Sequence, residues 1–373
     1  MEDTGSSDFI EPASTDDSSS ILTDDLAAIT SDYDPGPYDQ QTTASLVGSV
    51  TASVSEHVYE NGRRYHKYKS GRYPIPNDDT EAVRENVRNA LFFELLGGRL
   101  HLAPIGDSPQ NIMDIATGFG DWAIDMGDRY PSARVVGLDL SPIQSVWIPP
   151  NVEFVVDDVE DNAWIHGSDY DLIHLRMAAV ILKSPVRVAA TAFTHLRPGG
   201  WIEFQEVLPR PACHDDTMPA DYAVGRFYRL VAREMRRQQG WDLYAVEHLP
   251  EQLAELGFVN IHRKVCHVPI GYWPKEPHRM QHAFLFAEAL TELMAAMQAK
   301  PLNADVHDIA WPDDDDDKGD GDGDGDGGAT GKTRKLMTSQ DIEALCAEVR
   351  AALCARNVHA FVPFHFVWAQ KPN

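Results

Sequence analysis

Short apolar runs alternate with helix-length segments through the middle of the chain. The runs are rich in Val, Ile and Leu, and they lie at residues 111–115, 135–140, 152–157, 170–175 and 201–207. Runs of this length and β-branched content predict buried strands. Strands that alternate with helices predict a parallel sheet with right-handed crossovers and helices on both faces. The pattern therefore predicts a doubly wound α/β fold.

The carboxy-terminal part continues with helical periodicity and ends in an alternating segment. Between residues 280 and 299, apolar side chains recur on one helical face, which indicates packing against a core. Thr338 and Asp341 match a capping-box pattern that predicts the start of another helix. The alternation of residues 359–368 predicts a last strand. We expect this strand to pair with residues 258–270 and to extend the sheet.

Negative charge is concentrated in two segments. The 373-residue chain has a formal net charge of -26, but residues 1–50 hold eleven acids and no Lys or Arg, and residues 313–328 hold nine Asp and one Lys. Both segments are predicted to be disordered, because they cannot bury enough apolar surface to offset their ordering entropy. The rest of the chain is only moderately acidic. It has no basic stripe, so we expect no direct nucleic-acid binding.

Composition also restricts the compartment and the metal chemistry. No apolar run reaches the roughly eighteen residues that a membrane span needs, and the N-terminus is acidic where a secretory signal would be basic. The four cysteines are far apart and form no CxxC pair: they are Cys213, Cys266, Cys346 and Cys354. Neither a disulfide framework nor a zinc site is expected. The sequence predicts a soluble protein of the cytoplasm or nucleus with no membrane contact and no bound metal.

The most informative segment follows the first predicted strand. It runs Asp114-Ile-Ala-Thr-Gly118-Phe-Gly120, and glycines at such a turn let the backbone approach a ligand while the next helix offers free N–H groups. Asp139 and Leu140 end the second strand. Asp139 stands twenty-one residues after Gly118, where a carboxylate can accept both hydroxyls of a ribose. The spacing indicates a cofactor that contains adenosine.

The glycine turn and its downstream acid fit both NAD and S-adenosylmethionine (SAM). Three features favour SAM. Asp114 ends the first strand, where a carboxylate can face the cationic methionine end of SAM and would repel a pyrophosphate. Asp157, Asp158 and Val159 follow the third strand, where an acid can accept from the adenine amino group and the next N–H can donate to the ring. The turn at 196–200, Leu-Arg-Pro-Gly-Gly, precedes a strand as in many methyltransferases.

Candidates for the acceptor chemistry follow the fourth strand. His174 and Arg176 lie near its carboxyl end, where open α/β sheets bind ligands. His174 is the candidate catalytic base, and the alternative is a histidine that is hydrogen-bonded inside the sheet. Arg176 is either a cofactor contact or the ion-pair partner of Glu203 or Glu206.

Six segments in order resemble the fungal methyltransferase family that includes the LaeA-type regulators of secondary metabolism. They are NGRRYHKYKSGRYPIPND, DIATGFGDWAID, GLDLSPIQ, the pair of carboxylates, YDLIHLRM and HLRPGGWIEFQE, between about Tyr59 and Pro209. The resemblance implies a class I methyltransferase fold, with seven strands of which the last is antiparallel, and SAM as cofactor. At matching positions it implies a cleft formed by Asp114, Gly118, Gly120, Asp139, Asp158 and Tyr65.

One position departs from the family pattern. Ala116 stands where the family has the first glycine of its loop, and its methyl group would lie close to the methionine end of the cofactor. Alanine is compatible with this position if its φ is negative. The departure raises the question of whether the affinity for SAM is reduced.

These expectations divide the chain into five parts. They are a disordered acidic tail (1–58), a SAM-binding core (59–208), a helical cap that forms the substrate region and continues the sheet (209–312), a disordered Asp/Gly insertion (313–335), and a helix with the last strand of the core (336–373). We expect a methyltransferase that acts on a small fungal secondary metabolite. The alternative is a LaeA-like nuclear regulator that acts through partner proteins, and a third hypothesis is an NAD-dependent oxidoreductase.

Overall fold

The computed structural model describes residues 10–13, 57–161, 164–303, 308–309 and 336–373. The disorder predicted for the Asp/Gly insertion and for most of the acidic tail concerns residues outside these ranges. None of the described helices is both long enough and apolar enough to cross a membrane.

Five parallel strands form the centre of a mixed sheet. They are β3 (Asn111–Ile115), β4 (Arg134–Asp139), β5 (Val152–Val156), β6 (Tyr170–Arg176) and β7 (Leu196–Val207), and their order is β5-β4-β3-β6-β7. All five predicted apolar runs are strands. They read as nearly continuous apolar runs because helices cover both faces of a parallel sheet.

Antiparallel strands complete the sheet beyond β7. The last strand, β10 (Ala360–Gln370), pairs with β7 on one side and with β9 (Val259–Pro269) on the other, and the two-residue β8 (Ala212–Cys213) also pairs with β10. The predicted class I methyltransferase sheet, with seven principal strands and the last one antiparallel, is confirmed. The predicted pairing of the last strand with the segment at 258–270 is confirmed as well.

Within the described ranges, a small hairpin and seven α-helices surround the sheet. The hairpin is β1 (His57–Glu60) and β2 (Arg63–His66). The helices are α1 (Asp79–Leu95), α2 (Asp121–Arg129), α3 (Pro185–His195), α4 (Ala223–Gln239), α5 (Leu249–Glu255), α6 (Pro277–Ala299) and α7 (Ser339–Leu353). Thr338 and Asp341 form the predicted capping box of α7. Asp78 caps α1 and also pairs with Arg63, which ties the hairpin to this helix.

Alternate residues of each strand enter different apolar clusters. On one face, Ile115 and Ile173 pack with residues of α3 and α5. On the other face, Ile112 and Leu172 pack with Trp122 and its neighbours on α2. A third cluster joins α1, α4, α6 and α7 to β9 and β10. The helices of the predicted cap are thus packed on the antiparallel end of the sheet.

The predicted boundary of the tail needs two corrections. Residues 57 and 58 belong to β1, because they pair with Tyr65 and His66 of β2. Residues 10–13 were included in the predicted disordered segment, but they pair with residues 273–275, and Ile10 is buried. The low apolar content of the tail as a whole hid this short docked segment.

Candidate cofactor-binding site

A cleft of about 890 Å³, counted to its open mouth, lies at the carboxyl ends of β3 to β6. A smaller space adjoins it beside β3 and the start of α2. We call the larger space the main compartment and the smaller one the polar compartment, because charged side chains dominate the latter. This edge of a parallel sheet is where α/β proteins bind ligands. Nine predicted site residues line the two compartments: Asp114, Ala116, Gly118, Asp139, Leu140, Asp157, Asp158, Val159 and Arg176.

Asp139 ties the glycine turn to the end of β4. One carboxylate oxygen accepts the N–H of Gly118 at 2.9 Å, and the other accepts the N–H of Ser141 at 2.9 Å. Burial raises the pKa of Asp139 to about 6. A Cβ atom on Gly118 would meet no atom within 4 Å, so the turn leaves open space in front of its backbone. The turn and the acid therefore form one preorganised edge of the cleft.

Ala116 has a left-handed backbone conformation, with φ 56°. The condition under which alanine is compatible with this position, a negative φ, is therefore not met. Met177, just after β6, also has a positive φ of 53°, and both residues line the main compartment. A residue with a Cβ atom is disfavoured in this region by roughly 1–2 kcal/mol. Such strain is concentrated at functional sites, where the surrounding structure fixes the backbone.

Gly120 serves packing and does not line the cleft. It is the N-cap of α2, with φ 90°, and a Cβ atom there would overlap the ring of Phe154 on β5. Gly137 of β4 faces the same ring. The prediction of a cofactor contact at Gly120 is corrected, because the ring of Phe154 occupies the space that its missing side chain leaves.

The two carboxylates after β5 are both engaged within the protein. Asp157 contacts Nε2 of His166 at 2.6 Å and accepts the N–H of Asp158. Asp158 pairs with Lys69 at 3.0 Å and with Arg72 at 3.4 Å. Its other oxygen accepts the N–H of Glu160. Both side chains line the main compartment, but an adenine amino group would have to share the Asp158 carboxylate with two cations.

Lys69 and Arg72 belong to a segment that we call the strap, residues 67–78, between β2 and α1. Tyr73 of the strap lines the main compartment and contacts Trp241 of the cap, with ring centroids 5.7 Å apart. Tyr65, the predicted aromatic contact, is buried in the hairpin under Lys300 and lines neither compartment. That prediction is corrected: the strap turns back over the cleft and brings a later tyrosine into it.

Arg176 lies at the junction of the two compartments. Burial lowers its pKa to about 10. The predicted ion-pair alternatives are excluded, since Glu203 accepts the N–H groups of Leu102 and Ala103 and Glu206 accepts those after β6. Among the described residues, none forms an ion pair with Arg176. A guanidinium that is half-buried and unpaired favours an anionic ligand.

Acids in the polar compartment face this guanidinium. Asp114 is buried and accepts the Thr117 hydroxyl at 2.6 Å. Burial raises the pKa of Asp121, at the start of α2, to about 6. Cation and anions together suit a zwitterionic group that carries both an ammonium and a carboxylate.

His174 lies behind the cleft. It is fully buried, its Nδ1 is 2.7 Å from Asp114, and its ring stacks on Trp122 at 3.7 Å. It lines neither compartment. The prediction of a catalytic base is corrected in favour of the alternative, a histidine held inside the sheet, because its alternation along β6 points it under α2.

Several lining residues were not found from the sequence. Arg72 and Tyr73 come from the strap, and Glu81, Glu85 and Arg88 come from α1. The charged residues of α1 recur at spacings of three and four, a pattern that is typical of a solvated helix face. The Asn77–Asp78 cap before α1 is the one local signal that this helix begins beside the strap.

The helices of the predicted cap lie outside the two compartments. No described residue between 209 and 303 lines either compartment. The apolar residues of the cap, such as Phe227 and Met294, are buried against one another in the cluster beneath it. The apolar wall of the main compartment comes instead from Tyr73 and from the turn after β6, including Met177, Ile181 and Leu182.

Comparison with known proteins agrees with this geometry. A family model described as a methyltransferase domain matches residues 87–263. Methyltransferase pytC of Aspergillus terreus is 35% identical over 333 residues, which cover 88% of this chain and 93% of that protein. The secondary metabolism regulator LAE1 of Cochliobolus heterostrophus is 34% identical over 87% of this chain and 98% of its own length. The secondary metabolism regulator laeA of Monascus pilosus is 28% identical over 93% and 88% of the two chains.

The chain belongs to this methyltransferase family. The resemblance inferred from six short motifs is therefore confirmed over most of the chain. Membership sets aside the NAD-dependent oxidoreductase hypothesis, which the glycine turn alone left open. The cleft is accordingly that of a methyltransferase fold.

Replacing Ala116 by Gly should leave the methyltransferase at least as stable. Relief of roughly 1–2 kcal/mol of left-handed strain outweighs the roughly 0.5–1 kcal/mol of backbone entropy that glycine costs. Urea denaturation should show a free energy of unfolding that is unchanged or raised by up to about 1 kcal/mol. Ala123→Gly in α2 is the matched control and should lose about 1–2 kcal/mol. Equal losses in the two variants would show that Ala116 is not strained.

Replacing His174 by Leu should destabilise the fold by about 1–3 kcal/mol, because the buried Asp114 loses a hydrogen-bond donor. His174→Asn should lose less, since an amide N–H can replace Nδ1–H. The free energy of unfolding in urea measures both effects. A Leu variant as stable as the wild type would contradict the structural role assigned to His174.

Proposed function

We propose that this methyltransferase binds SAM across the two compartments and transfers its methyl group to a small-molecule acceptor of fungal secondary metabolism. The observation that carries the proposal is the joint geometry of Asp139 and Arg176. The acid holds the open glycine turn in the main compartment, and the guanidinium, which has no ion-pair partner among the described residues, lies at the junction with the polar compartment. The residues present fit the cofactor because acceptors for a ribose and partners for a zwitterion occur at opposite ends of one space.

In this proposal, the two compartments bind different parts of the cofactor. Asp139 would accept the ribose hydroxyls, and Val159 would present its backbone N–H to the adenine ring. Arg176 would take the methionine carboxylate, while Asp114 would take the ammonium group. Asp158 would accept a hydrogen bond from the adenine amino group, in competition with its ion pairs to Lys69 and Arg72.

Bound SAM supplies a methyl group that is already activated by its sulfonium. The chain then needs chiefly to align the acceptor and to keep water away, since orientation alone accounts for several kcal/mol of a barrier. Tyr73, Met177, Ile181 and Leu182 form the apolar surface on which an acceptor would lie. That surface favours a flat or apolar acceptor of modest size. Similarity to methyltransferase pytC supports the enzymatic assignment.

The affinity for SAM should rise with pH between about 5 and 7. Asp139 accepts ribose hydroxyls best when ionised, and with a pKa of about 6 only about a tenth of it is ionised at pH 5. Calorimetric titration should therefore show binding about tenfold weaker at pH 5 than at pH 7. Asp139→Asn should bind weakly at every pH.

Asp121→Asn is the matched control for this titration, because the Asp121 carboxyl also has a pKa of about 6. The pH dependence that remains in this variant belongs to Asp139. If Asp139→Asn binds SAM as tightly as the wild type, the ribose assignment is wrong. If the wild type binds no SAM at millimolar concentration, the proposed cofactor is wrong.

A second candidate function is a LaeA-like nuclear regulator that acts through partner proteins. One observation favours it: LAE1, a regulator by name, is matched over 98% of its length at an identity within one percentage point of that to pytC. The strained Ala116 and the pairing of Asp158 with strap cations are compatible with weak cofactor binding.

Deletion of the gene should separate the two functions. A pathway enzyme predicts the loss of one methylated product and its descendants, with transcripts of other metabolite clusters unchanged. A regulator predicts the loss of several unrelated metabolites together with their transcripts. Metabolite profiling and transcript profiling of the same deletion strain measure both outcomes, and the second pattern would contradict the enzymatic proposal.

A further inference from the structure

A buried carboxylate of α1 lines the main compartment and takes no part in the proposed binding of SAM. Glu81 is only 4% exposed, and it lies about one helical turn before Glu85 and two before Arg88. Both of these later residues line both compartments, as Arg176 does, whereas Glu81 lines the main one alone. Side chains one turn apart on a helix are roughly 5–6 Å from each other. Glu81 therefore lies beside the junction of the two compartments, on the side of the main one.

Within the described part of the chain, only one oxygen of this carboxylate accepts hydrogen bonds. Arg84 is buried as well, and both its Nε, at 3.0 Å, and its Nη2 donate to Oε1 of Glu81. Pairs of arginine and a carboxylate frequently use both oxygens, with two parallel hydrogen bonds. Here the guanidinium converges on one of them. Oε2 is therefore left for a ligand in the compartment that Glu81 lines.

Arg84 holds the Glu81 carboxylate in one orientation. A base whose position is fixed by a further group is the arrangement by which enzymes present a proton acceptor to a substrate. Burial raises the pKa of Glu81 above its ordinary value, against the opposing effect of Arg84. The carboxylate is therefore a stronger base than an exposed glutamate.

The charges of α1 also restrict the acceptor. Arg84 pairs with Glu85, which in turn pairs with Arg88, so two acids and two cations alternate along this face of the helix. A wall without net charge does not offset the cost of desolvating a charged acceptor, so it favours a neutral one. The apolar surface around Tyr73 in the same compartment suits the rest of such a molecule.

A neutral hydroxyl group needs a base in order to accept a methyl group efficiently. A phenol-like hydroxyl has a pKa of about 10, so roughly one molecule in a thousand is ionised at pH 7. A positioned carboxylate that takes the proton during the transfer contributes about 10²- to 10⁴-fold in rate. His174 cannot serve, because it lines neither compartment. Glu81 has the burial, the fixed orientation and the available oxygen that this role requires.

We propose that Glu81 is the catalytic base of this methyltransferase and that the acceptor is a flat, neutral molecule with a free hydroxyl group. The proposal rests on the proposed function and names its acceptor class. The acceptor hydroxyl donates to Oε2 of Glu81. As the new oxygen–carbon bond forms, the carbon–sulfur bond of the sulfonium breaks, and the sulfur keeps the bonding electron pair as a neutral thioether. The hydroxyl proton passes to Glu81 and then to solvent through the mouth of the cleft.

Binding of 2-naphthol to the full chain tests the carboxylate without any cofactor. The reference ligand is 2-methoxynaphthalene, which has the same rings but lacks the hydroxyl proton. By fluorescence titration, we expect the wild type to bind 2-naphthol at least about tenfold more tightly than the ether, the value of a hydrogen bond to a charged acceptor. In Glu81→Gln, Arg84 retains the amide oxygen and an NH2 group replaces Oε2. The preference for 2-naphthol should therefore disappear in this variant.

Two further variants serve as controls for this titration. Glu94→Gln removes an exposed acid from the same helix and should keep the wild-type preference. Glu81→Asp keeps a carboxylate and should retain part of the preference, which separates the loss of the base from a general disturbance of α1. An equal preference in the wild type and in Glu81→Gln, or no binding of 2-naphthol to the wild type at millimolar concentration, would overturn the proposal.

Methyl transfer gives a second readout. The full chain, incubated with methyl-labelled SAM and a small-molecule extract of a fungal culture, should place the label on an oxygen atom as a methyl ether. Glu81→Gln should transfer about 10²- to 10⁴-fold more slowly, while its calorimetric affinity for SAM stays within about twofold of the wild type. A label on nitrogen or carbon, no labelled product from a chain that binds SAM, or an equal rate in the variant would overturn the proposal. A wild type that binds no SAM would contradict the proposed function instead, and the 2-naphthol titration would still decide the role of Glu81.

Discussion

The hydrogen bond between the Gly118 N–H and the Asp139 carboxylate is the contact on which the candidate site depends. It joins the turn after β3 to the end of β4, so that two neighbouring strand ends act as one rigid edge. The second oxygen of Asp139 fixes the start of the next loop through Ser141. A carboxylate that is buried and held by two backbone donors keeps its position before any ligand arrives, and binding then costs little reorganisation.

The opposite end of the cleft follows a different principle. There the fold collects charges that do not fully neutralise one another: Arg176 has no ion-pair partner among the described residues, while Asp114 is buried beside it on β3. The sequence suggests Glu203 and Glu206 as partners for Arg176, but both carboxylates accept hydrogen bonds from backbone N–H groups instead. A zwitterionic ligand completes such a set of charges. The methionine end of SAM is such a ligand, and membership of a methyltransferase family supports this proposal.

The strands, the glycine turn and Asp139 could be predicted because each leaves a local pattern: an apolar run, a small residue, or an acid at a fixed spacing. The incorrect predictions of site residues concern positions whose role depends on tertiary packing. The sequence suggests that Gly120 contacts a ligand, but a glycine is needed there because the ring of Phe154 packs against its backbone. His174 lies on the expected strand, but strand alternation places it beneath α2. The predicted aromatic contact is Tyr65 and the observed one is Tyr73, because the turn of the strap cannot be seen in the sequence. The sign of φ at Ala116 depends on the whole loop.

SAM bound as proposed would place its adenosine beside Asp139 and its amino-acid moiety beside Arg176. The most direct measurement is a calorimetric comparison of S-adenosylhomocysteine with 5′-methylthioadenosine, because both are neutral thioethers and only the former carries the ammonium and the carboxylate. We expect the wild type to bind S-adenosylhomocysteine at least about 10-fold more tightly, since each charge-assisted contact is worth on the order of 10- to 100-fold in affinity. We expect Arg176→Leu to remove the share of this difference that the carboxylate contributes. Equal affinities in the wild type, or an unchanged preference in the variant, would contradict this arrangement of the ligand.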